Sequence, residues 1–243
     1  MSMAHTFPTM HNRRNFLKRA GIGTLGFWLP RTFAETRAIV SSLPRALSPE
    51  AEGVASPGIL EFLKAMEQTK HELHSFMMLR HGQVVAEGWW SPYAAELKHT
   101  MYSMSKSFTS TAIGLVVSEG KLSVEDKVIS FFSDDLPEKI SENLAALKVK
   151  HLLSMAVGHE HEPMAAVIAS ENWVRTFLAE PIPREPGSLF VYNSTATYLC
   201  SAIVQKVTGQ RVIDYLTPRL FDPLGITGMT WETCPRGINT GVR

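Results

Sequence analysis

The chain has 243 residues, 44% of them hydrophobic and 19% charged, with 24 Lys and Arg against 23 Asp and Glu. This is the make-up of a soluble globular protein with a real core in one or two domains. A net charge of +1 gives no basic surplus for a nucleic-acid partner, and two cysteines without a C-x-x-C pair argue against a structural zinc site.

Residues 12–18 read NRRNFLK and resemble a twin-arginine export signal. A glycine-rich apolar stretch from Ala20 to Pro30 follows. It is too short for a membrane-spanning helix, and small residues at Ala34 and Ala38 suit a cleavage site. Residues 1–38 are therefore expected to be a signal, with the export machinery as partner, a periplasmic or otherwise exported product and no stable membrane span. Removing six of the basic residues and one acidic residue with it leaves a net charge of −4. Proteins exported this way fold before export, so Cys200 and Cys234 are expected to be free and mostly buried.

Residues 39–58 are rich in Ser, Pro, Ala and Glu and read as a linker. Ser56-Pro57 looks like a helix start, with a capping serine and a proline in the first turn. In HSFMMLRHGQVVAEGWW, His81-Gly82 separates two apolar runs and signals a hairpin. Helices are then expected over Lys106 to Glu119, closed by Gly120, and over 151–155, 171–178 and 195–207, the last closed by Gly209. Another covers VIDYLTPRLFDPLG and is interrupted near Pro218. No later cluster of strands is visible, and two strands alone make a poor sheet.

The stretch YSMSKSF (102–108) holds three serines and a lysine. A serine nucleophile needs a base close by, and on a helix side chains three or four apart share a face. Ser103 stands three before Lys106. Ser105 and Ser107 point away from it, and Ser110 lies inside the helix. Ser103 also falls at the helix N-terminus, where free N–H groups and the dipole favour negative charge. Ser-x-x-Lys alone equally describes a capping serine beside an exposed lysine. In a second stretch, EPGSLFVYNSTATYL (185–199), Tyr192 ends an apolar run just before a helix, a junction from which a tyrosine can enter a cleft or simply pack at its rim.

Taken together, YSMSKSFTSTAIG, GKLSVEDKV, KHLLSMAVGHEHEP, EPGSLFVYNS, YLCSAIVQKVTGQ and LFDPLGITGMTW resemble, in order and spacing, the serine hydrolases related to class C β-lactamases and penicillin-binding proteins. The resemblance implies an α+β fold, an antiparallel sheet with a mainly helical region, over residues 59–243. It implies Ser103 as the acylated nucleophile and Lys106 as the residue that eases removal of its proton. It implies Tyr192 as a partner in proton transfer, and a small-molecule ester, amide or β-lactam as substrate. Asn193 and Ser194 are expected to contact substrate, as is His159 from the loop GHEHEP. No cofactor and no metal are implied.

Two departures stand out. The family's Tyr-x-Asn is here Tyr192-Asn193-Ser194, which favours an esterase or amidase over a true β-lactamase. The family's late Lys-Thr-Gly or His-x-Gly motif has no match, since Thr208-Gly209 ends a helix and Thr240-Gly241 lies near the terminus. The expectation is a domain lacking its C-terminal strands, with an exposed hairpin edge and weak or absent activity. One rival is a non-catalytic or inactive homologue. A metal hydrolase using His159 and His161 is a second rival, but H-E-x-x-H fails because Pro163 stands where its second histidine belongs. A phosphate loop over Gly114 to Lys121 fails on glycine spacing, and no G-x-S-x-G is present.

Overall fold

The computed structural model describes residues 43–241, so the export-signal reading of residues 1–38 lies outside the described residues. Two strands, β1 (Ser75–Arg80) and β2 (Gln83–Trp89), pair antiparallel. His81 and Gly82 both have positive φ, 51° and 80°. That is the demand of a two-residue hairpin turn whose twist matches the strands, and it is why glycine stands at the second position. The register slips between Met78 and Leu79, leaving Val85 opposite no partner. This bulge lets the adjacent Val84 and Val85 both be buried.

Residues 43–58 are not a free tether, and the linker reading is corrected. Ala46 N–H donates to Val84 O at 3.0 Å and Val84 N–H donates to Pro44 O at 2.8 Å, so this segment lies along the outer side of β2. A short 3-10 turn (Glu50–Glu52) then leads into helix α1 (Ser56–Glu67). Ser56 is its first residue and not its cap. The Ser56 N–H is taken by the Glu50 carboxylate at 2.8 Å, and Pro57 sits in the first turn.

The rest is helical. Helix α2 (Ser105–Ser118) follows a 3-10 turn (Tyr102–Met104) and stops before Gly120, whose φ is 68°. Then come α3 (Glu142–Ala146), α4 (Val149–Leu153), α5 (Met164–Ile168), α6 (Trp173–Ala179), α7 (Ser194–Thr208) and α8 (Val212–Leu216). A wide turn over Thr217–Phe221 follows α8, where Pro218 has no N–H to continue the helix.

Helix α7 is the hub. Every residue from Ser194 to Val204 is buried, as expected for a helix covered on all sides. Its small residues, Ala196, Cys200, Ser201 and Ala202, let neighbours approach closely. Leu199 and Ile203 of α7 share one core with Ile113 and Val116 of α2, Leu152 of α4, Phe177 of α6 and Leu216 of α8. Cys200 and Cys234 are both buried free thiols, and burial pushes the Cys200 thiol up to about 12. Ile59, Val84 and Val85 are buried outside this core, so the hairpin and α1 form a separate, smaller layer. Among the described residues the sheet has these two strands, and no helix is long and apolar enough to cross a membrane.

Candidate active site

The start of α2 and the start of α7 bring together residues 89 positions apart. Ser103 sits in the 3-10 turn that feeds α2. Tyr102 just before it has a φ of 44°, a left-handed conformation costing a non-glycine residue on the order of 1 kcal/mol. Ser103 Oγ lies 2.6 Å from Tyr192 Oη, and Lys106 Nζ donates to Ser103 Oγ at 3.1 Å. The Lys106 ammonium also stands 5.1 Å from the centre of the Tyr192 ring. The hydrogen bond to Ser103, and then the one to Lys106, hold the Tyr192 phenol below the usual tyrosine range. A hydroxyl is thus flanked by a cation and by an oxygen that ionises more readily than an ordinary phenol.

Tyr192 is fixed through its neighbours. Val191 N–H donates to Met155 O at 3.0 Å, and Asn193 N–H reaches Met155 Sδ at 3.4 Å. Met155 itself has a φ of 52°. Three residues on, Gly158 (φ 102°) packs so tightly on the backbone that a Cβ there would come within 2.2 Å of Arg184 O. Only glycine fits, and the turn it permits aims the following histidine inward.

That histidine is not on the cleft. His159 is 3% exposed and Asn193 is 1% exposed. The expectation that they contact substrate is corrected, because both serve the frame beneath the site. Asn193 caps α7, its Oδ1 accepting from Ala196 N–H at 2.9 Å and from the Thr195 hydroxyl at 2.6 Å. Its Nδ2 therefore faces His159 Nδ1 at 3.0 Å, which must accept and so be unprotonated. Burial first, and the charge of His161 second, push His159 down to about 4. Ser194 does line the cleft with Ser103 and Lys106, and its N–H donates to the Glu162 carboxylate. The remaining acid of the HEHE segment, Glu160, pairs with Arg184 at 2.9 Å. Glu160 and Glu162 of this segment are thus paired within the protein, and among the described residues no three side chains of ligand type converge.

The cleft over Ser103 has a volume of about 400 Å³. Besides the residues above it is lined by Tyr102, Met164, Ile168, Trp173, Glu232 and Thr240. Sequence reasoning missed Trp173 and Thr240. Both lie far from the two motifs along the chain, and only the tertiary fold places them here.

The sequence pattern of the β-lactamase family matches residues 62–242. The chain belongs to the β-lactamase family. Within that family it is 26% identical over 154 residues to the "Putative D-alanyl-D-alanine carboxypeptidase" of Escherichia coli O157:H7, covering 57% of this chain and 36% of that protein. It is 25% identical over 168 residues to the 6-aminohexanoate-dimer hydrolase of Paenarthrobacter ureafaciens, covering 62% of this chain and 42% of that protein. The chain thus spans well under half the length of these relatives. In three dimensions it is similar to the "Putative 6-aminohexanoate-dimer hydrolase from Bacillus anthracis", with a TM-score of 0.65 and 19% identity over 84% of this chain and 58% of that one. At that identity the likeness shows the β-lactamase family fold, an α+β architecture, and not the substrate.

Proposed function

We propose that this chain carries the acylating site of a serine hydrolase acting on small esters or amides. The observation that carries the reading is the contact of Ser103 Oγ with both Tyr192 Oη at 2.6 Å and Lys106 Nζ at 3.1 Å. Three groups from two distant stretches meet at hydrogen-bond range, as nucleophile and base must. The names of the relatives, hydrolases of peptide-like amides, support the same reaction class.

The chemistry is as follows. Tyr192 Oη, ionised with the help of the Lys106 charge, takes the Ser103 proton as Oγ attacks the substrate carbonyl. Charge develops on the carbonyl oxygen at the start of α2, where the Ser103 N–H and the helix dipole favour it. Collapse of the adduct breaks the bond to the leaving group, which receives the proton from Tyr192. Water then attacks the Ser103 ester, Tyr192 accepts the water proton, and Ser103 recovers it on release of the acid. Because the buried Asn193 cannot bind a substrate amide, the reading favours an esterase or amidase over a β-lactamase. Export through the twin-arginine route is part of the same proposal and rests on NRRNFLK alone.

The test is the intact mass of the purified chain after exposure to a fluorophosphonate, with peptide mapping and circular dichroism. One adduct on Ser103, absent in Ser103→Ala and slowed in Lys106→Ala, is the expected result. A folded chain with no adduct, or one labelled elsewhere, overturns the reading and leaves the non-catalytic homologue.

A further inference from the structure

Tyr192 is 48% exposed, so packing alone does not fix its ring. Its aim at Ser103 is set by the backbone on either side of it. Before it, Val191 N–H donates to Met155 O at 3.0 Å; after it, Asn193 N–H reaches Met155 Sδ at 3.4 Å. One residue thus brackets the tyrosine, with its carbonyl on one side and its sulfur on the other. The bracket is anchored in the core. Met155 N–H donates to Leu152 O at 3.1 Å and Ala156 N–H to His151 O at 2.9 Å, which ties the turn to the end of α4. Leu152 is itself buried in the core around α7. Ala156 O and Gly158 O then accept from Gly187 N–H at 2.7 Å and from Arg184 N–H at 3.1 Å, so residues 155–158 run alongside the segment that carries Tyr192.

The backbone at Met155 calls for a different residue. Its φ of 52° is left-handed, a conformation that favours glycine or asparagine. Among the described residues the other non-glycine positions with positive φ are His81, in the hairpin turn, and Tyr102, next to Ser103. Strain of this kind gathers at functional sites, where the surrounding structure holds it. A glycine at 155 would relieve the strain and keep the carbonyl bond to Val191; it would lose the side chain. What the side chain supplies is Sδ. Asn193 is buried, and among the described residues Sδ is the acceptor its N–H has. A thioether is a weak acceptor, but a buried donor with none is worse off.

We propose that Met155 is a positioning residue for Tyr192 and that it acts through its thioether sulfur. This rests on Tyr192 as the proton acceptor in the acylation proposed above, and the experiment separates the two. Met155→Leu conserves volume and removes the acceptor, whereas Met155→Gln keeps one. Fluorophosphonate labelling of each chain is resolved into a rate at saturation and a half-saturating concentration, with the fold checked by circular dichroism. The Tyr192 ring resonances, assigned by their loss in Tyr192→Phe, are followed by NMR. In Met155→Leu the saturated rate should fall about ten- to a hundredfold, the half-saturating concentration should hold within about twofold, and the ring resonances should move. Met155→Gln should label close to the wild-type rate. In a Tyr192→Phe background Met155→Leu should have no further effect, because residues that act through one another are not additive. A wild-type rate in Met155→Leu, an equal loss in the Tyr192→Phe background, or a Met155→Gln chain as slow as Met155→Leu overturns the positioning role and leaves the sulfur as packing. Should Met155→Leu not fold, Met155→Gln decides: wild-type labelling is expected, and its loss overturns the role. A normal adduct in Met155→Leu with an unmoved ring overturns the positioning role alone. A moved ring with no adduct in the wild-type chain overturns the acylation reading and leaves the positioning role standing.

Discussion

Ser103 Oγ receives a hydrogen bond from Lys106 and lies in short contact with Tyr192, which in the proposed acylation divides the work between the two. Lysine donates and supplies charge; the phenol oxygen is the group free to take a proton. Tyr192→Phe keeps the ring over Lys106 and removes only that oxygen, so acylation by a p-nitrophenyl ester should fall about 10²- to 10⁴-fold. Lys106→Met removes a cation that holds the Tyr192 phenol down. The acid limb of kcat/KM against pH, which reports ionisation of the base, should then move to higher pH. An unmoved limb would assign the proton transfer to another group. His159 gives a second pH effect, on stability. Its folded value of about 4 lies below its ordinary 6.5, so the unfolded chain binds a proton between these values and the folded chain does not. The stability it confers is fully present above pH 6.5 and is lost as pH falls towards 4, by up to about 3 kcal/mol. Urea midpoints measured from pH 7 to 4 on wild type and His159→Gln should show a shallower loss in the variant. At this scale the sequence was informative where spacing decides geometry. Ser103 and Lys106 meet because three residues make about one turn. His159 and Asn193 were misplaced because burial is set by how α7 and the loop pack, and no local pattern in GHEHEP or VYNST carries that.

At the scale of elements, the site depends on where α7 begins. Asn193 both caps the helix and satisfies His159 Nδ1. Asn193→Ala loses the cap, worth about 1 kcal/mol, and orphans a buried acceptor at a further cost of about 1–3 kcal/mol. It should lower the stability by about 2–4 kcal/mol in a denaturant titration and loosen Tyr192, the residue before the cap. The hairpin, α2 and α7 could be read because their ends carry strong local signals, His81-Gly82, Gly120 and Gly209, each with left-handed backbone at the glycine. The five-residue helices were legible only unevenly, α4 and α8 within longer apolar stretches and α3 and α5 not at all, because five residues show too little periodicity to tell a helix from a loop. The segment before α1 was misread for a different reason. Its composition is that of a tether, but it is held by main-chain hydrogen bonds to Val84, which any non-proline residue can make.

In the whole molecule, two layers of unequal strength sit side by side. The helical body owns the shared core around α7, whereas the buried residues of the hairpin layer, Ile59, Val84 and Val85, lie outside it. That layer also leaves Leu60, Phe62, Met77 and Leu79 exposed, and among the described residues β1 pairs with β2 alone. Few buried apolar contacts and an open strand edge mean that the hairpin opens by local fluctuation long before the body unfolds. Amide hydrogen exchange followed by mass spectrometry should therefore give β1 protection at least about a hundredfold lower than the middle of α7. Ser103 and Tyr192 both belong to the helical body, so the chemistry need not share the hairpin's weakness. Under mild urea that opens β1 but spares α7, the Ser103 fluorophosphonate adduct should still form. If labelling is lost together with β1 protection, the hairpin layer supports the nucleophile directly, and the separation of frame from site drawn from the core is wrong.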